Sequence, residues 1–114
     1  MFKTAQDPSY EWPVTVYVPK NGGKFFKATF TAEFRALEQD AIDRVLADIR
    51  DGDPDMNFAG ECLCGWKDVQ DDDGSALVYS DDSKAKLLNI PYARNAVVIA
   101  FFESLSGGAA RRKN

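Results

Sequence analysis

Apolar and polar residues alternate along the first third of the chain. In Val14-Thr15-Val16-Tyr17-Val18 the valines fall on one face. Pro19-Lys20-Asn21-Gly22-Gly23 follows, and Asn-Gly is a tight-turn dipeptide because both residues tolerate positive φ. Phe26, Ala28, Phe30, Ala32 and Phe34 then share one face, while Lys27, Thr29, Thr31 and Glu33 point the other way. This predicts an antiparallel β-hairpin over residues 12–34 with one strongly apolar face. Residues 1–11 are polar, Asp7-Pro8-Ser9 reads as a turn, and the segment is expected to be a flexible arm.

The period then becomes helical. Leu37, Ala41, Val45, Leu46 and Ile49 predict a helix from about 38 to 50, which Gly52 stops. Asp53-Pro54 supplies an N-cap acceptor and a first-turn proline for a second helix. Its expected inner face is Phe58, Ala59, Cys62, Leu63 and Trp66, with Gly60 and Gly65 lowering its propensity. Lys67 to Gly74 reads as an aspartate-rich loop, and Ser75 to Tyr79 as an extended segment or brief strand. Ser80-Asp81-Asp82 caps a third helix ending near Leu88. After the break at Asn89-Ile90-Pro91, a fourth helix is expected over 91–105, with Tyr92, Ala96, Val97, Ala100, Phe101 and Leu105 inward. Ser106-Gly107-Gly108 ends it, leaving residues 107–114 as a disordered tail. The predicted class is α+β: an N-terminal antiparallel β-hairpin followed by about four α-helices, the helical part over 38–106, in a single domain spanning 1–114.

Composition narrows the chemistry. The 114 residues carry a net charge of −4, with Asp+Glu 18 against Lys+Arg 14, which argues against a whole-protein grip on nucleic acid. Arg111, Arg112 and Lys113 gather at the end, on a Gly/Ala tail; they read as a solvated tail or as contacts to an acidic partner. Histidine is absent, which removes the commonest general acid/base and metal ligand. The start, Met1 to Tyr10, lacks the apolar run of a signal peptide, and Ala96 to Phe102 is far short of a membrane span, so no membrane role is expected.

The candidate sites read as structural. Counted back from Gly74, a calcium loop would begin at Val69, which has no ligating side chain, and its twelfth position would be Ser80 rather than glutamate. Cys62 and Cys64 form one pair where a structural zinc site needs two, and they read as reduced core cysteines on a helix. No nucleophile has a plausible base, so no catalytic residue, metal or cofactor is assigned and enzymatic activity is not expected. Tyr17 and Phe25 lie opposite the hairpin's main apolar stripe. With Trp12, they are the candidate partner contacts. A lone two-stranded ribbon is marginal in water, so the hairpin is expected to pack on the helices, and its open edges favour self-association into a homo-oligomer.

The order of motifs resembles a known family. Trp12-Pro13-Val14-Thr15-Val16 is followed by Asn21-Gly22-Gly23 and Phe30-Thr31-Ala32-Glu33-Phe34. Then come Gly65-Trp66-Lys67-Asp68-Val69, Asp72-Asp73-Gly74, a Tyr79-Ser80 cap, Leu87-Leu88 with Pro91, and Phe101-Phe102. This series is similar to the tail assembly chaperones of siphophages and prophages, over roughly residues 12–114. Ala36-Leu37-Glu38 departs from the serine or threonine usual before the first helix. The resemblance implies a protein that binds the long helical tape measure protein, keeps it soluble and helps recruit tail tube subunits. It implies action in the host bacterial cytoplasm and departure before the virion matures. In many such families a longer form arises by frameshifting. A structural tail completion or head–tail joining subunit shares the same size and acidity.

Overall fold

A computed structural model gives the fold and describes residues 2, 4, 5, 7–50 and 56–106. Strands β1 (Ser9–Lys20) and β2 (Lys24–Arg35) pair antiparallel, with Val14 opposite Phe30, Val16 opposite Ala28 and Val18 opposite Phe26. The hairpin is longer than its alternation suggests. Ser9 to Glu11, expected in a flexible arm, belong to β1 because Tyr10 pairs with Phe34 and the Ala36 amide donates to the Pro8 carbonyl at 3.1 Å. The turn takes its positive φ at Gly22 (79°) and Gly23 (77°), not at Asn21, which suits residues without a Cβ.

Helix α1 (Gln39–Arg50) follows, started by the Glu38 carbonyl, which accepts from the amides of Ala41 and Ile42. Its described buried residue is Ile42; the expected Val45, Leu46 and Ile49 contacts lie outside the described side chains, as does the Asp53-Pro54 cap. Helix α2 (Met56–Cys62) is shorter than expected, because Leu63 to Lys67 form a third strand, β3. Leu63 and Trp66 therefore sit on a sheet, not on a helix. The reason is competition for backbone partners. β2 leaves one edge open, and β3 closes part of it, with Thr31 opposite Lys67 and Glu33 opposite Gly65. Gly65 permits this approach, since a Cβ there would stand 2.7 Å from Glu33 Oε1. The sheet order is β1-β2-β3.

Helix α3 (Asp81–Leu88) has a reciprocal cap. Ser80 Oγ accepts from the Ser83 amide and Ser83 Oγ accepts from the Ser80 amide. Helix α4 (Pro91–Leu105) starts on its proline, as expected. Ala93, Ala96, Val97, Ala100 and Phe101 face inward, whereas Tyr92 and Leu105, expected inside, are exposed. Tyr92 is the second residue of the helix and Leu105 its last, so both sit at its ends rather than over the core.

The core lies between one face of the sheet and the helices. Val14, Val16, Phe30, Ala32 and Phe34 meet Phe58, Leu63, Leu87, Val97 and Phe101 there. Phe34 and Phe58 each meet Phe101 edge-on, with centroids 5.4 and 5.5 Å apart. The burial stops short of the hairpin's end: Phe26, on the same face as Phe30, is 58% exposed. Phe34→Ala should therefore cost about 3–5 kcal/mol in a urea titration. Phe26→Ala should stay within about 0.5 kcal/mol, the usual range for a surface position.

Candidate functional site

The side chains with chemical potential are largely engaged in holding the fold. Cys62 is buried at the end of α2, its Sγ 3.6 Å from the Ala59 carbonyl, and burial pushes its thiol up to about 12. Cys64 is on β3, not on a helix, and its thiol is also raised, by burial first and then by the nearby Glu33 carboxylate. Both are free thiols; Arg35 and Lys84 lie close enough to lower them, but burial outweighs these charges and keeps both thiols protonated and poorly reactive.

The acidic run forms a turn. The Asp71 amide donates to the Ser75 carbonyl at 2.8 Å, and Gly74 takes a φ of 86°. Asp73 Oδ1 accepts from the Ser75 amide and hydroxyl at 3.0 and 2.6 Å. Asp71 Oδ1 accepts from Lys86 Nζ at 2.6 Å, and this ammonium is the main reason its carboxyl lies below the usual range. The Ser75 hydroxyl does the same for Asp73. Because both values are lowered in the folded state, their stabilisation is present above the ordinary aspartate pKa of about 3.9 and is lost as pH falls through the lowered values. Among the described residues, no three or more Cys, Asp or Glu side chains are grouped to hold a metal ion, and no helix is long and apolar enough to cross a membrane.

Trp66 joins this turn to the sheet. Its Nε1 donates to the Leu77 carbonyl at 2.7 Å, and its ring meets Tyr79 edge-on at 5.0 Å. The short stretch 75–79 forms no strand of its own and carries one isolated bridge, between Gln70 and Ala76.

The distal hairpin is among the open apolar surfaces. Tyr17 and Phe25 are 56% and 64% exposed on its outer face. The partner candidate Trp12 is half-buried, and it lines a groove of about 500 Å³ with Pro13, Tyr17, Tyr92 and Ile99. Trp12 and Tyr17 thus meet in one groove between β1 and α4, whereas Phe25 lies apart, near the turn. Arg111, Arg112 and Lys113 lie outside the described residues. The groove's helical wall is not legible in the sequence, because Tyr92 fits an inward stripe and Ile99 falls outside it.

The edge of β1 is blunted. The bond from Ala36 to Pro8 makes the even-numbered residues of β1 the ones that face β2, since the pairing runs in register to Lys20. Pro13 and Pro19 then fall where an N–H would point outward, and the free edge between them offers only Thr15 and Tyr17 as donors. Long strand addition is disfavoured there, so side-chain contact is the better use of this surface.

The two thiols give a direct check on this geometry. In folded protein at pH 8, a thiol–disulfide reagent should label Cys64 slowly and leave Cys62 untouched until urea unfolds the chain. Cys64→Ser should abolish labelling of the folded state. Compared with known proteins, the chain matches no family model, no curated protein and no solved structure.

Proposed function

We propose that this protein is a tail assembly chaperone of long-tailed bacteriophages, acting in the host cytoplasm as a homo-oligomer and leaving before the virion is complete. Its work is to bind the tape measure protein, keep it soluble and bring tail tube subunits to it. The observation that carries this reading is the distal half of the hairpin, where Tyr17, Phe25 and Phe26 are exposed beside Lys20, Lys24 and Lys27. A chaperone for a long amphipathic helix needs apolar contact area framed by charge, reversible affinity and no covalent chemistry. Tyr17 and Phe25, on the outer face, are the proposed contacts to partner or sister subunits.

The test is a pull-down of tagged protein from induced lysogen cells, with mass spectrometry of what is recovered and of purified virions. The expected result is a very long helical protein and tail tube protein in the pull-down, and no copy of this chain in virions. Recovery in finished particles would assign it instead to a tail completion or head–tail joining subunit. Alanine at both Tyr17 and Phe25 should lower recovery of tube protein about tenfold, as for loss of aromatic anchors worth about 1.4 kcal/mol. Far-UV circular dichroism should be unchanged, since both side chains are exposed.

A further inference from the structure

The inner face of the hairpin runs on past the helices that cover it. Val14 and Val16 are buried, Val18 is half-buried, and Phe26 opposite Val18 is exposed. Beyond them Lys20 and Lys24 stand directly opposite each other, a like-charge pairing that costs stability in the free chain. Lys20 Nζ lies 5.7 Å from the Phe26 ring centroid, so the positive charge borders the apolar patch. The stretch from Trp12 to Ala32 contains three lysines and no acid in a chain that is acidic elsewhere.

We infer that this overhang, Val18 and Phe26 framed by Lys20 and Lys24, seats an amphipathic partner helix whose apolar stripe is flanked by carboxylates. A sheet face offers side chains and no free backbone groups, so its occupant must satisfy its own backbone, as a helix does. Helices already cover the same face one step away, and an added helix continues that layer. Carboxylates on its flank would relieve the opposed lysines.

A second copy fits less well. Among the described residues, Ile42 of α1 and Leu87 and Leu88 of α3 are already buried. The exposed flank of α4, with Tyr92 and Ile99, carries Glu103 as the helix's single acid. Nucleic acid fits less well too, because Phe25 and Phe26 point to opposite faces and make no common stacking platform. The inference deepens the functional reading above, on which it rests for the partner's identity alone.

The probe is a pair of synthetic helical peptides with one leucine stripe, flanked by glutamates in one and lysines in the other. Fluorescence anisotropy is read on the full chain. The glutamate peptide should bind at least about tenfold more tightly. Phe26→Ser should weaken it about tenfold with unchanged circular dichroism, and Lys20→Glu with Lys24→Glu should reverse the preference. Tyr17→Ser, on the outer face, should leave it unchanged. Equal affinity for the two peptides, or indifference to Phe26→Ser, overturns the inference. So does self-association abolished by Phe26→Ser, which would give the face to a second copy, or oligonucleotide binding lost with the lysines. If Phe26→Ser still recovers the long helical protein from cells in full, the surface is wrong while the functional reading stands. If the wild type recovers no phage protein yet binds the glutamate peptide through Phe26, the surface stands and the functional reading fails.

Discussion

The edge-on packing of Phe34 against Phe101 holds the hairpin to the last helix. Phe34 is on the second strand and Phe101 near the end of the last helix, and both are fully buried. Tyr10 meets Phe34 from the first strand, and its hydroxyl lies 2.7 Å from Ser104 Oγ. Phe58 completes the knot from the short middle helix. A hairpin without such packing has too little buried area to persist in water, and these rings supply a large part of it. The cost of closing so long a loop is met by burying large rings, and the remaining elements attach around them.

Polar contacts tie these elements together around that apolar core. Lys84 Nζ donates to the Gly60 carbonyl at 2.7 Å, and Arg35 donates to the Glu61 carbonyl at 3.1 Å. Cations thus satisfy the open carbonyls at the end of α2 and tie it to α3 and to β2. Trp66 fixes the acidic turn to β3 through Leu77. On the outer face, Glu11 stands opposite Glu33, and the repulsion is eased by Lys67, 2.9 Å from Glu11, and by the Ser9 hydroxyl, which donates to Glu33. The proximal sheet is therefore electrostatically closed. The distal hairpin, with lysines alone, is not, and this contrast makes it the functional end of the molecule in our reading.

What the sequence by itself determined was local. Strict alternation in Val14-Val16-Val18 and Phe26-Ala28-Phe30-Ala32-Phe34 fixed the hairpin and its inner face, because a side-chain period of two has no other regular solution. Ser80 and Pro91 fixed two helix starts, because a cap and a first-turn proline act within one turn. Tertiary structure alone decided the rest. Leu63 and Trp66 fit a helical stripe begun at Phe58, yet Leu63 to Lys67 became a strand because β2 offered an open edge. The contact set of Trp12 and Tyr17 depended on where α4 crosses β1, which no local pattern specifies. Alternation told which way Phe26 points but not how far the helical layer extends above it. That reach is set by the path of segments far away in sequence, and it leaves Phe26 in solvent while Phe30, on the same face, is buried.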